Sequence, residues 1–411
     1  MAKVDIHKKI LSLLMLSTVL LGGCGSHRSL SSPDENIPTR QWTIMVYMAA
    51  DNNLEKYAIQ DINELEEIGS TTKVAIVVEI DRAPGYDSTN GNWTSTRRYY
   101  VKQDNDRHTI NSELVADLGE CNMADPTNLS KFINWAVNTY PAKHYVLVLW
   151  DHGRGWQTST LRTLSIPFEF KAINVDETSN SEMSLPELRN ALSQSPRVDI
   201  ILFDACLMGM LEVAYSIRNC ADIMIASEDN IPATGQPYTQ ILARLTSMPQ
   251  VTPYEFSQIV INSYMDYYAN YAGPLTYSAI KLSSLGYTIH AVDQLGTAIV
   301  AASNEWPIVR KIQGETQYFD SDKGQYIDYK DLYDFASRLR SASKSATIRN
   351  ACQSVMTSFE QTVLYQRNSG GKVANAYGIS IYIPPSGRML SQYKLLDFAK
   401  DTSWDEFLQA Y

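Results

Sequence analysis

Five short apolar runs dominate this sequence, and the spacers between them decide how they assemble. Trp42–Ala49 (WTIMVYMA), Lys73–Ile80 (KVAIVVEI), His144–Trp150 (HYVLVLW), Val198–Phe203 (VDIILF) and Asp222–Ala226 read as buried strands. Helix-spaced segments separate them. Asn53–Ile68 repeats Leu54, Ala58, Ile62 and Leu65, and Pro126–Tyr140 opens on proline with Asp125 as its cap. Ser184–Gln194 carries a Ser184-x-x-Glu187 capping box, and Leu207–Ile217 is a further helix. Strand, helix, strand in sequence requires a parallel sheet with helical crossovers. Arg98–Lys102 is expected to be a short edge strand. Beyond about Pro249 the pattern is mostly helical, with strands near Leu275–Lys281 and Tyr377–Ile383. The expected fold class is therefore α/β. Helices sandwich a mainly parallel sheet over residues 41–248, and an α+β region, 249–411, packs on it.

Composition narrows the function. With 411 residues, 44% hydrophobic and 19% charged, the chain is globular. A net charge of −10 argues against nucleic acid as a partner, because phosphate contacts need a basic face. The five cysteines, at 24, 121, 206, 220 and 352, are odd in number and contain no Cys-x-x-Cys pair. Neither a disulfide framework nor a structural zinc site is expected.

The N-terminus reads as an address. Lys3, Lys8 and Lys9 precede an apolar core, Ile10–Leu21, which ends in Leu21-Gly22-Gly23-Cys24. This resembles a bacterial lipoprotein lipobox, which implies removal of residues 1–23 and lipidation of Cys24. Residues 24–40, rich in Ser and Pro, form a tether. The expected location is the bacterial cell envelope, with the membrane reached through the lipid anchor.

Two strand ends concentrate the chemistry. One core strand stops at Asp151-His152-Gly153 and another at Asp204-Ala205-Cys206, with a single helix between them. Such a crossover tends to make the strands parallel neighbours, and places His152 and Cys206 at the C-terminal sheet edge where open α/β folds keep their sites. A histidine is the base that a thiol needs to become a nucleophile near neutral pH. Spacing alone leaves open whether Gly153 is an ordinary turn or an oxyanion donor beside the Cys206 N–H. Asp204 and Cys206 are two apart and share a side if the strand stays extended. Asp151 should point away from His152, and is not assigned as a third catalytic member.

These residues resemble the clostripain family of cysteine peptidases. The matching segments are Thr43–Glu55 (TIMVYMAADNNLE), Leu149–Trp156 (LWDHGRGW), Leu202–Gly209 (LFDACLMG), Ala226–Tyr238 (ASEDNIPATGQPY) and Tyr377–Pro384 (YGISIYIP). Tyr326–Phe335 has a similar flavour. The resemblance implies a caspase-like αβα sandwich, a His152/Cys206 dyad, and cleavage of protein or peptide substrates after Arg or Lys. Asp204 is then expected to receive the substrate cation, with Glu228 or Asp229 as a second acid. Relatives often cut themselves between histidine and cysteine. Lys171 and Arg162 are the candidate self-cleavage positions, because Arg154, Arg189 and Arg197 fall too near the dyad, inside a helix or beside a strand. Arg154 stands where relatives often have glycine.

No cofactor is needed for this chemistry, and no metal-ligand set is assigned. Calcium stays open, since some relatives depend on it, but no EF-hand spacing exists. Glu228, Asp229 and Asp176-Glu177 read by default as solvated acids. Gly370-Gly371-Lys372 fails as a phosphate loop, because Val373 stands where Ser or Thr is needed. His-Glu-x-x-His and Gly-x-Ser-x-Gly are both missing. The Tyr264, Tyr267, Tyr268 and Tyr271 stripe is expected in the core rather than as a sugar platform. The competing function class is a non-catalytic surface lipoprotein that keeps the fold as a binding module; the intact His152, Asp204 and Cys206 favour a peptidase, which is expected to be a monomer.

Overall fold

A computed structural model describes residues 40–157, 173–319 and 326–411. The strands in chain order are β1 (Arg40–Ala50), β2 (Val74–Arg82), β3 (Thr96–Tyr100), β4 (Glu113–Gly119), β5 (Ala142–Trp150), β6 (Ile173–Asp176), β7 (Ser181–Met183), β8 (Val198–Asp204), β9 (Ala221–Ala226), β10 (Thr276–Lys281), β11 (Tyr329–Asp331), β12 (Val363–Asn368) and β13 (Ser380–Tyr382). Nine of them form one sheet in the order β12-β10-β9-β8-β5-β1-β2-β3-β4. The middle five, β2, β1, β5, β8 and β9, are parallel. Antiparallel pairs close both edges, β3 and β4 on one side and β10 and β12 on the other.

Both faces of the sheet are covered, which is why its central strands read as continuous apolar runs. Alternation sorts the residues of β1 cleanly. Trp42, Ile44, Val46 and Met48 enter one core cluster; Met45, Tyr47 and Ala49 enter the other. Helix Glu55–Ile68 lays Ala58, Ile62 and Leu65 on the first face. Helix Pro126–Thr139 is capped by Asp125, whose side chain accepts from Thr127 N–H, and it lays Phe132 and Ile133 on the second. Ser184 and Glu187 make the expected capping box at the helix Leu185–Ser193.

The boundary expected at residue 248 does not divide the structure. Strands β10 and β12 lie beyond it, yet they extend the same sheet, and residues Pro38–Tyr411 form one compact unit. The C-terminal segment completes the sheet rather than packing on it as a separate region. The helix expected from Leu207 begins only at Leu211, because Leu207 adopts a left-handed backbone with φ 64°. The tyrosine stripe splits: Tyr264 and Tyr268 are buried, while Tyr267 and Tyr271 are about half exposed. No helix among the described residues is long and apolar enough to cross a membrane.

Candidate active site

The two strand ends singled out by the sequence are neighbours. β5 and β8 pair with Trp150 opposite Asp204, and Asp151 N–H donates to the Asp204 carbonyl at 3.3 Å, carrying the ladder one residue further. His152 and Cys206 therefore each stand two residues beyond the same rung. Gly153 seals the junction. A Cβ there would come within 2.2 Å of the Cys206 carbonyl oxygen and 2.9 Å of its nitrogen, so a larger residue would force the two turns apart. Trp156 anchors the far side of the histidine turn, edge-on to Tyr382 and Tyr393 at 4.9 and 5.0 Å. The Tyr329 hydroxyl donates to the Arg154 carbonyl at 2.6 Å. Arg154 is itself buried, and that burial pulls its guanidinium below the usual range.

The cysteine turn is clamped from the other side. Leu207 N–H donates to the Asp229 carbonyl at 3.2 Å, and Gly209 N–H to that of Ser227 at 2.7 Å. Leu207 is a branched residue held at positive φ directly after Cys206, a strained conformation that persists only where its surroundings over-determine it. The Cys206 thiol is half-buried. Ile231 N–H points at its Sγ from 3.4 Å, and the Sγ lies 3.9 Å from the Ile231 carbonyl oxygen.

His152 has a partner that sequence reasoning missed. Its Nε2 lies 2.8 Å from Asn53 Oδ1. An amide oxygen only accepts, so Nε2 carries the proton and Nδ1 is the basic nitrogen of the neutral ring. Asn53 sits in the turn after β1, and its neighbour Asn52 donates to Asp151 Oδ1 at 2.9 Å. Asp151 also accepts from Val175 N–H.

Asp204 is fully buried. The Tyr238 hydroxyl and Gln236 N–H donate to its Oδ2 at 2.8 and 3.1 Å, while Oδ1 is buried without a hydrogen-bond partner. Burial raises its carboxyl to about 6, and the two donors oppose the rise. Gly235, at φ 55°, brings the backbone so close that a Cβ would sit 2.8 Å from Oδ2. The Tyr264 hydroxyl is likewise buried without a hydrogen-bond partner. Burial raises the hydroxyls of Tyr264 and Tyr277, and both lie near enough to Asp204 and Cys206 that negative charge there raises them further. Strand alternation is not what brings Asp204 and Cys206 together. Extended backbone ends at Asp204, and the turn through Leu207 sets the thiol.

The other acids have specific places. Asp61 accepts from Trp150 Nε1 at 2.7 Å, and burial and the Asp204 charge push its carboxyl well up. The signal was present in the sequence, since Asp61 falls within the apolar stripe of its helix. Asp229 is buried and accepts from Asn230 N–H. Glu228 accepts from Gly378 N–H at 2.9 Å and lies against the Asp331 carboxyl, with burial and that neighbour pushing it well up. Glu228, Asp229 and Asp176 are thus all buried, which corrects the reading of these positions as solvated acids. Cys220 and Cys352 are buried, and burial drives the Cys352 thiol to about 12. Cys24, Arg162 and Lys171 lie outside the described residues.

The chain as a whole is similar to known proteins. The family model described as the Clostripain family matches residues 46–411. Clostripain of Hathewaya histolytica is 24% identical over 418 residues, covering 89% of this chain and 79% of that protein. An inactive zymogen of a C11 protease from Parabacteroides distasonis superposes with a TM-score of 0.67 at 25% identity, over 89% of this chain and 99% of that one. A secreted C11 cysteine protease from Bacteroides thetaiotaomicron, solved with an irreversible peptide inhibitor, gives a TM-score of 0.65 at 22% identity, over 90% and 99%.

Proposed function

Because the chain belongs to the clostripain family and is a cysteine peptidase, we propose that it is an endopeptidase cutting after Arg or Lys through His152 and Cys206. The observation that carries this reading is the shared rung of β5 and β8, with Gly153 packed on the Cys206 backbone. His152 takes the thiol proton through Nδ1, and the thiolate attacks the scissile carbonyl. The N–H groups of Gly153 and Cys206 receive the oxyanion. The protonated His152 then gives its proton to the leaving amine, and water hydrolyses the thioester.

Asp204 supplies the specificity. A guanidinium or ammonium entering beside it satisfies the carboxylate oxygen that is buried without a partner. Asp229, on the loop that clamps the cysteine turn, is the second acid of this pocket. Glu228, held by Gly378 and facing Asp331, is left to a structural role. Profiling the products of a mixed peptide library tests the whole reading. Cuts should follow Arg and Lys, with Arg ahead where the pair is bidentate; cuts spread over unrelated residues would refute it.

The location follows from the N-terminus. Cys24 is lipidated, residues 1–23 are removed, and the monomeric enzyme stays at the bacterial envelope. Each buried CH₂ of the acyl chains contributes about 0.8 kcal/mol, so multiple chains hold firmly. Cys24→Ser should move the protein from the membrane fraction to the soluble fraction. A wild-type chain that is already soluble would count against the anchor.

Self-processing completes the proposal, at Lys171 or, second, at Arg162. Among the described residues, the basic positions between the dyad members are held in structure. Arg154 is buried, Arg189 lies in a helix paired with Asp397, and Arg197 pairs with Asp222 at 2.6 Å. Cleavage requires an extended, accessible substrate, so these three are poor sites. N-terminal sequencing should find two fragments in wild type and one chain in Cys206→Ala; an active but uncut wild type would rule this step out.

A further inference from the structure

The surroundings of Asp204 hold more unpartnered polar atoms than the carboxylate alone. Gln236 lies on the loop after β9, just before the helix Tyr238–Ser247. Its backbone N–H is the group that donates to Asp204 Oδ2 at 3.1 Å. Its side chain is wholly buried, and neither the amide oxygen nor the amide nitrogen has a hydrogen-bond partner. The amide lies against the Tyr277 hydroxyl without reaching hydrogen-bond geometry. That hydroxyl donates to the carbonyl of Phe203, the residue before Asp204, at 2.5 Å.

The hydroxyls around Asp204 isolate the same spot. Burial raises those of Tyr238, Tyr264, Tyr268 and Tyr277, and the Asp204 charge raises each further. Three of the four are occupied. Tyr238 donates to Asp204 Oδ2 and Tyr268 to the Gly235 carbonyl, each at 2.8 Å, and Tyr277 is held by Phe203. Tyr264, whose ring lies 4.7 Å from that of Tyr277, has a buried hydroxyl without a partner. Asp204 Oδ1, both ends of the Gln236 amide and the Tyr264 hydroxyl are therefore one group of buried polar atoms left unpaired around the same carboxylate. Each has given up its water without a replacement, so the group is a standing cost to the fold until a ligand meets it.

We propose that Gln236 selects Arg over Lys in this pocket, its amide oxygen accepting from one arm of the guanidinium while Asp204 Oδ1 accepts from the other. The inference rests on the reading of Asp204 as the acid that receives the substrate cation. A guanidinium presents five N–H donors in a rigid plane, so it reaches acceptors on two different residues at once. The Tyr264 hydroxyl, which accepts as well as donates, is the partner for the Gln236 amide nitrogen. All four atoms are then satisfied in the arginyl complex. An ammonium concentrates its three donors on one nitrogen. Held at Asp204, it leaves the Gln236 amide buried and unpaired, which is how a polar site rejects the analogue that lacks a matching group. Gln236 thus both holds the acid, through its backbone, and supplies the second acceptor, through its side chain.

The test variant is Gln236→Met, close in volume and unable to accept a hydrogen bond from a cation. In the active full mature chain, the ratio of kcat/KM for an arginyl peptide to that for its lysyl counterpart should fall at least about tenfold. The Tm of the unliganded variant should rise, because two unpartnered polar atoms leave the interior. A lower Tm with an unchanged ratio would make Gln236 structural only and overturn the inference.

Binding is read separately in the chain carrying Cys206→Ala, so that it does not depend on cleavage. Thermal melting is followed with n-butylguanidinium and with n-pentylammonium. The guanidinium should stabilise the parent more than the ammonium does. Adding Gln236→Met should abolish that difference, and Tyr264→Phe should narrow it. Gln353→Met, an exposed change on the helix Ala346–Thr362, should behave like its parent. Asp204→Ala should remove stabilisation by both cations. Stabilisation that survives Asp204→Ala would defeat the reading of Asp204 on which the inference rests. Stabilisation lost in Asp204→Ala, with the guanidinium preference intact in Gln236→Met, would overturn the inference alone.

Discussion

Cys206→Ala is expected to lower kcat/KM on an arginyl peptide by at least about 10⁴-fold, the scale on which removal of a covalent nucleophile is felt. No other described cysteine can take its place. Cys220 and Cys352 are buried, burial raises both thiols, and Cys352 is driven to about 12. Cys121 is more accessible, but burial and the nearby Glu79, Asp81 and Glu120 raise its thiol too, which is the opposite of what a nucleophile needs. The fold should survive, because Cys206 is half-buried and its replacement is small. Far-UV circular dichroism and the melting temperature should match the wild type while turnover vanishes. Near-normal turnover in Cys206→Ala would remove the chemical basis of the account.

Asp204→Ala should have the next largest effect. A substrate cation bound opposite alanine is a buried charge without its partner, which costs on the order of 3–5 kcal/mol. That corresponds to a loss of roughly 10²- to 5 × 10³-fold in kcat/KM on Arg substrates. Alkylation of Cys206 by a small neutral reagent should be nearly unchanged, because the dyad does not depend on this carboxylate. Unchanged preference for Arg in the variant would move the pocket elsewhere.

The same carboxyl predicts a pH dependence. Burial raises Asp204 to about 6. Below that pH the free enzyme holds it protonated and neutral, so kcat/KM on Arg substrates should fall as pH drops through about 6. The stability effect runs the other way. A carboxyl raised above its unfolded value of 3.8 binds its proton more tightly in the folded state. Its favourable contribution is complete below about 4 and is lost as pH rises to about 6. Asp204→Asn, which carries no charge to bury, should therefore raise the Tm at pH 8 while removing the preference for Arg. A lower Tm at pH 8 would show that the ionised carboxylate stabilises the fold.

The strands that position the dyad were legible because their apolar runs are buried on both faces and their spacers have helical period. β4 was not. Leu114, Val115 and Leu118 are 38–47% exposed at the sheet edge, so no alternation marks them. β12 follows the helix Ala346–Thr362 without a break residue, and its half-buried side chains carry neither period clearly. His152 and Cys206 could be paired from sequence, since a parallel register preserves the offset between strand ends. Asn53 could not, because an asparagine in a turn has many uses and only the packing of β1 beside β5 brings it to the imidazole. The acids were misread for a related reason. A charged residue in a loop is solvated by default, and only the covering of the sheet edge buries Glu228 and Asp229.

The central claim is a Cys206 nucleophile served by His152 and addressed by a basic residue. It is tested most directly by labelling the protein with a peptide that ends in an arginyl ketone bearing a thiol-displaceable group, followed by mass spectrometry of the adduct. One adduct is predicted, on Cys206. It should form at least about 10²-fold more slowly in His152→Ala, where the thiol has lost its base, and it should not form with the glutamyl analogue. An adduct on Cys121, or equal labelling by arginyl and glutamyl peptides, would contradict the account.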